Sequence, residues 1–171
     1  MKYEYTSAQA NKLLKKLMEE RDAVLSDERQ SKTFIAATTE SLEDARPAYD
    51  YAETQARLAK IEADIRTVKH CLNIFNTTHT VEGFDMTADE MLVYIPQLSE
   101  KKSRLGSMAN TLPKSRITSS VRSTLIEYQH ANYDVKTARS DHEAVSAELA
   151  RAQLALDQLN HTELMTIELN D

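Results

Sequence analysis

Residues 58–75 read LAKIEADIRTVKHCLNIF, and this stretch decides the fold class. Its apolar side chains recur at alternating steps of three and four residues, which places them on one face of an α-helix. They are Leu58, Ile61, Ile65, Val68, Leu72 and Phe75. A second series keeps the same alternation: Val135, Ala138, His142, Val145, Leu149, Ala152, Leu156 and Leu159. Apolar faces of this length must be buried against other helices, so they predict a helical bundle.

Two capping boxes mark the start of two more helices. Thr6 with Gln9, and Thr87 with Glu90, have the spacing at which each side chain satisfies a backbone donor of the other residue. Apolar residues follow both at helical spacing: Ala10, Leu14, Leu17 and Val24 in the first, and Met91, Ile95, Leu98 and Leu105 in the second. Pro96 predicts a kink or a restart in the second helix, because proline removes a backbone donor.

Three short segments alternate apolar and polar side chains, as strands do. They contain Tyr3 and Tyr5, then Ile126, Tyr128 and His130, and finally Met165, Ile167 and Leu169. We expect them to form one small sheet that pairs both termini with the central strand. The chain is thus predicted to be one domain, residues 1–171, of mainly α class. It would be an elongated bundle of long antiparallel helices with a small β element at one end.

The composition excludes several protein classes. The 171 residues include two glycines, three prolines and no tryptophan, which disfavours turn-rich sandwiches, barrels and Gly-looped nucleotide folds. No apolar run approaches the ~18 residues that a membrane span needs. The single cysteine, Cys71, excludes a disulfide framework and fits a reducing compartment. We therefore expect a cytoplasmic protein.

Charge is distributed unevenly along the chain. Residues 99–124 have a net charge of +5 within a chain of −6, and they include ten serines and threonines. Guanidinium and hydroxyl groups are what phosphate oxygens need, so this segment predicts a pocket for an anionic, possibly nucleotide-like, small molecule. The candidate ligand-binding residues are Lys102, Lys114, Arg116 and Arg122 for charge, Asn76 and Thr78 for hydrogen bonds, and Tyr128 and Tyr133 for stacking. The alternative is a solvated helix face followed by a loop.

Metal and catalytic patterns are weak in this sequence. Glu127 and His130 have the Glu-x-x-His spacing of di-iron bundles, but no second copy accompanies them. The acidic clusters Glu19, Glu20, Asp22 and Glu40, Glu43, Asp44 resemble those of magnesium-binding helical pyrophosphatases only loosely. No complete acid–base or nucleophile set can be assembled, so we expect no catalytic residue, no metal and no cofactor.

Three segments carry a family resemblance from about Asp50 onward. They are LNIFNTT at residues 72–78, GFDMT at 83–87 and LDQLN at 156–160. The chain resembles the septicolysin-like family of uncharacterised helical bacterial proteins. The resemblance implies a helical hairpin fold and self-association, and it supplies no established activity.

Three functions are compatible with these features. The leading hypothesis is a non-enzymatic homo-oligomer that binds or sequesters an anionic small molecule, because long continuous apolar seams favour a second copy as partner. The second is a structural or adaptor coiled-coil protein that binds another protein. The third is a helical, magnesium-dependent nucleotide hydrolase. Duplex nucleic acid is disfavoured as a partner, because the strongly acidic remainder of the chain would be repelled by phosphate.

Overall fold

The computed structural model describes residues 1–117 and 126–169. The protein is mainly helical, as predicted, with two small antiparallel strand pairs. The helices are α1 (Ser7–Ser31), α2 (Leu42–Ala45), α3 (Tyr51–Thr78), α4 (Ala88–Ala109) and α5 (Val135–Thr162). The strands are β1 (Lys2–Thr6), β2 (Lys114–Arg116), β3 (Tyr128–His130) and β4 (Leu164–Glu168).

The chain forms two compact units. The first holds Met1–Thr78 together with the chain from Leu159 onward, and the second holds His79–Gln158. The assignment of residues 1–171 to one domain stays a prediction. Each unit is built around one pair of long helices.

The first unit is built on α1 and α3. Gln55, near the start of α3, donates to Glu28 near the end of α1 (Nε2 to Oε1, 2.7 Å), so the two helices run in opposite directions. Every member of the apolar series in residues 58–75 is buried. Part of this series joins Val24 in one apolar cluster, with partly buried leucines of α1 packed against it. The predicted helix pattern is confirmed here. Burial of this apolar face offsets the conformational entropy that the chain loses when the two helices form.

The terminal strands β1 and β4 pair in antiparallel fashion, with Tyr3 opposite Ile167. Ile167 is fully buried, and Lys2 forms a 2.6 Å ion pair with Glu168 at the exposed end of the pair. Pairing of the two termini was predicted. Inclusion of the central strand was wrong, because β3 pairs with β2.

The second unit contains α4, α5 and the β2–β3 pair. Thr87 and Glu90 form the predicted capping box at the start of α4. Helix α4 runs without a break through Pro96, so the helix does not restart there, and a kink at this residue stays a prediction. The carbonyl that loses its donor belongs to Leu92, and this residue lies on the exposed side of the helix, where the loss costs least.

The second unit repeats the plan of the first. Thr87 starts α4 and bridges Thr80, just as Thr6 starts α1 and pairs with Leu164. The residues that lead into the two helices are also alike: YEYT at 3–6 and FDMT at 84–87. Helices α3 and α5 both have 28 residues. The two units thus share this local arrangement, with two long helices each.

Asn76 and Thr78, both named as candidate ligand-binding residues, belong to the last turn of α3. The hydroxyl of Thr77 donates to the carbonyl of Asn73 (2.9 Å). The hydroxyl of Thr78 donates to the carbonyl of Ile74 (2.7 Å). Both hydroxyls thus bond back to carbonyls one turn earlier in the same helix, as Ser and Thr side chains often do within helices.

Candidate functional site

The basic ribbon, defined as β2 and β3, lies in the second unit and combines positive charge with aromatic rings. Its register places Lys114 opposite His130 and Arg116 opposite Tyr128. Directly opposed residues lie on the same face of a strand pair, and so do residues two apart along a strand. Lys114, Arg116, Tyr128 and His130 therefore share one face, and all four side chains are exposed.

The side chains of this face contact one another. The Nζ atom of Lys114 lies 4.1 Å from the centre of the Tyr128 ring, which is a cation–π contact. The Tyr128 and His130 rings are 6.5 Å apart and tilted by 59°. On the other face of the ribbon, Ser115 is half-buried. The exposed face therefore offers an ammonium, a guanidinium, an imidazole and an aromatic ring to solvent.

The base of the ribbon is fixed to the end of α4. The Tyr133 hydroxyl donates to the carbonyl of Met108 (2.9 Å), and the Arg139 guanidinium donates to the carbonyl of Ala109 (3.4 Å). The backbone of Ala131 donates to the carbonyl of Pro113 (3.1 Å). The bonds from Tyr133 and Arg139 reach carbonyls in the last turn of α4, which lack intrahelical donors, and the bond from Ala131 to Pro113 closes the base of the ribbon.

Asp134 starts α5 next to the ribbon. Its carboxylate accepts from the Thr137 hydroxyl (2.8 Å) and from the backbone of Lys136 (3.0 Å). The hydrogen bond from Thr137, and then that from Lys136, lower the pKa of Asp134 below its ordinary value. The carboxylate stays ionised and holds the first turn of α5, because both donors favour the charged form.

The predicted ligand-binding residues are distributed over both units. Lys114, Arg116 and Tyr128 come together on the ribbon, and Lys102 is exposed on α4 of the same unit. Tyr133 is half-buried, and its hydroxyl donates a hydrogen bond to the carbonyl of Met108. Asn76 and Thr78 belong to the first unit. Arg122 lies outside the described residues. The ribbon therefore unites part of the predicted set.

Sequence reasoning did not include His130 in the site. A signal was present, since residues 128 and 130 have the same parity and neighbours of equal parity share one face of a strand. The prediction that residues 125–130 would pair with the termini hid this relationship. Only pairing with β2 places His130 opposite Lys114.

The equivalent connection in the first unit, between α1 and α3, has the opposite charge. It contains a pocket of about 230 Å³ lined by four carboxylates and one guanidinium. These charged residues are Asp27, Glu28, Asp50, Glu53 and Arg57. Burial, and then the hydrogen bond to Glu28, raise the pKa of Tyr49 in its wall. Anions would be repelled here, so the basic ribbon is the better candidate for an anionic ligand.

The acidic clusters considered for catalysis make local contacts. Glu20 forms an ion pair with Arg57 (2.9 Å), and Asp22 forms one with Arg21 (3.0 Å). Glu40 accepts from the backbone of Ala37 (2.8 Å). Among residues 1–117 and 126–169, no group of three or more His, Cys, Asp or Glu side chains is placed to hold a metal ion.

None of the described helices is both long enough and apolar enough to cross a membrane.

Comparison with known proteins identifies the fold and no family. No family model matches the chain, and no curated protein matches it significantly. The chain is similar to a solved structure described as a functionally unknown conserved protein from Corynebacterium diphtheriae. The two share 17% sequence identity at a TM-score of 0.59, over 95% of this chain and 99% of the other. At this identity the similarity shows that the two chains share a fold.

Proposed function

We propose that this protein is a non-enzymatic, homo-oligomeric helical protein that binds or sequesters an anionic, nucleotide-like small molecule at the exposed face of the basic ribbon. The observation that carries the proposal is the shared face of Lys114, Arg116, Tyr128 and His130. Cationic groups bind phosphate oxygens, and an aromatic ring stacks on a base. Both kinds of group occur here within one strand pair.

Rigid support for the ribbon also favours a binding role. Binding costs less free energy when the contacting groups are already ordered. Tyr133, three residues beyond β3, is bonded to the end of α4, Arg139 joins α5 to the same helix end, and Asp134 holds the first turn of α5. These contacts limit the entropy that the ribbon loses when it binds a ligand.

Exposed apolar side chains on the second unit support self-association. Leu92 and Val93 on α4 are 51% and 58% exposed, and Leu154 on α5 is 70% exposed. Large apolar side chains exposed to this extent lose contact with water when a second copy covers them. The same side chains would serve a protein partner, which is the adaptor alternative.

The proposal also includes three statements about domain organisation, shape and location. They are a single domain over residues 1–171, an elongated coiled-coil-like bundle with its β element at one end, and a cytoplasmic location. Membership of the septicolysin-like family is proposed on the segments quoted above. The third candidate, a magnesium-dependent nucleotide hydrolase, predicts turnover that requires the acidic clusters.

Native mass spectrometry of the gently purified full chain tests the proposal, followed by identification of any small molecule released on denaturation. We expect an oligomer that carries a nucleotide-like mass. A ligand-free monomer that also fails to bind any member of a nucleotide panel would overturn the proposal and put the adaptor function first. Magnesium-dependent turnover of a panel member would favour the hydrolase instead.

Substitution of Arg116 locates the site. Arg116→Gln removes one guanidinium from the ribbon and should weaken binding of the identified ligand roughly tenfold, since a charged hydrogen bond is lost. Arg104→Gln is the matched control, because Arg104 is exposed on α4 in the same unit. Equal affinities of the two variants would show that the ligand binds elsewhere.

A further inference from the structure

The contact between Lys114 and Tyr128 limits how a ligand can stack on the Tyr128 ring. The ammonium lies 4.1 Å from the ring centre, so it covers one face of the aromatic ring. A base that stacks on this face must displace the lysine. The neighbouring cation, Arg116, lies directly opposite Tyr128, and no cation–π contact places it over that ring.

Displacement of the lysine is costly for a neutral ligand. A cation–π contact at an exposed site changes an equilibrium constant roughly two- to fivefold, and a neutral aromatic ligand offers the freed ammonium nothing in return. A phosphorylated ligand differs, because its phosphate accepts the displaced ammonium in a charge-assisted hydrogen bond. The same movement that exposes the ring would thus bring the cation to the phosphate.

We propose that Lys114 is a specificity-determining residue which covers the Tyr128 ring and admits 5′-phosphorylated nucleosides in preference to unphosphorylated ones. The inference rests on the proposed function and deepens it by assigning the ligand class. His130 stands opposite Lys114 in the strand pair, and its ring lies 6.5 Å from that of Tyr128, so the lysine, the tyrosine and the histidine border one another on the same face of the ribbon.

The experiment compares Lys114→Met with wild type in the full chain by isothermal titration calorimetry. The probes are AMP, GMP, UMP and CMP, each with its own nucleoside. Methionine keeps the length of the side chain and removes its charge. We expect the tightest mononucleotide to lose roughly tenfold in affinity, while its nucleoside gains roughly two- to fivefold because the ring is no longer held by a cation.

Opposite changes for the two probes are the decisive readout. A lysine that merely attracts anions would weaken the mononucleotide and leave the nucleoside unchanged, and that result overturns the inference. Lys60→Met, which removes an exposed lysine from α3, controls for the change in net charge and should alter neither affinity. If wild type binds none of the four mononucleotides, both the inference and the nucleotide form of the proposed function fall. If it binds one but the nucleoside gains nothing in Lys114→Met, only the inference falls.

Nuclear magnetic resonance gives a second measurement on the wild-type chain. The Nζ atom of Lys114 lies over the Tyr128 ring, so we expect the signals of the protons on the adjacent carbon to be shifted upfield in the free protein. Addition of the bound mononucleotide should move them back towards ordinary lysine values. Signals that stay upfield in the saturated complex would show that the lysine never leaves the ring, and would overturn the inference.

Discussion

The His142 ring of α5 packs directly on Gly106 of α4. A Cβ atom built on Gly106 would lie 3.2 Å from Nε2 of His142 and 3.3 Å from its Cδ2, which is tighter than ordinary van der Waals contact. Helix interiors disfavour glycine by roughly 1 kcal/mol relative to alanine, so this glycine has a packing reason. His142 occupies the apolar seam of α5, and the missing side chain at position 106 makes room for its ring.

Gly106→Ala and His142→Ala should therefore be coupled. In wild type, the gain in helix propensity from alanine is offset by crowding against the imidazole, so Gly106→Ala should leave the free energy of unfolding unchanged or lower. In the His142→Ala background the crowding is absent, and the same change should stabilise by about 1 kcal/mol. Urea denaturation of the four proteins measures the coupling. A coupling energy below about 0.5 kcal/mol would contradict the packing argument.

The capping boxes at Thr6 and Thr87 differ in one charge, and this difference predicts an acid-dependent loss of stability. Glu90 accepts from the backbone of Thr87 (2.7 Å) and from its hydroxyl (3.0 Å). These bonds, the backbone one first, lower the pKa of Glu90 below its ordinary value. Folded Glu90 thus releases its proton more readily than unfolded Glu90. Its contribution to stability is complete above the unfolded pKa and is lost as pH falls through the folded value.

Exchange of the two capping residues tests this assignment. Gln9 holds the same position in α1 without a charge. Glu90→Gln should reduce the fall in unfolding free energy between about pH 5 and pH 3, and Gln9→Glu should increase it. Urea denaturation across this range measures both slopes. Identical slopes for Glu90→Gln and wild type would show that the Thr87 bonds do not hold the carboxylate in its charged form.

Local signals predicted the helices well because their causes lie within a few residues. The Thr6 capping box and the alternation from Leu58 to Phe75 need no knowledge of distant partners. The strand β2 is different: its sequence, Lys-Ser-Arg, has no apolar alternation, and it becomes a strand by pairing with residues 128–130. The sequence therefore predicted several residues of the site, but it did not predict which of them share one face of a strand pair. The contact between Lys114 and Tyr128 depends on a pairing register that only the folded chain specifies.

Gly83 adopts a backbone conformation that other residues resist. Its φ of +77° lies in the left-handed region, and a Cβ atom there would meet nothing within 4 Å. Gly83→Ala should thus cost about 1 kcal/mol through backbone strain alone. Gly83→Asn should cost less, because asparagine tolerates this region better. Thermal denaturation monitored by circular dichroism checks the order of the three proteins. Equal midpoints for alanine and asparagine would show that strain is not the cause.

Substitution of Tyr133 distinguishes a structural role of this residue at the base of the ribbon from a role in ligand binding. Tyr133→Phe removes the hydroxyl that donates to Met108 and should lower the free energy of unfolding by about 1 kcal/mol. The amides of Ile117 and Ala131, which bond across the ribbon, should exchange with solvent several-fold faster as its anchor loosens. Tyr128→Phe is the control, because the Tyr128 ring is exposed and its contact with Lys114 is made by the ring face. Faster ligand dissociation with unchanged amide exchange in Tyr133→Phe would contradict the anchoring role and assign Tyr133 to the ligand.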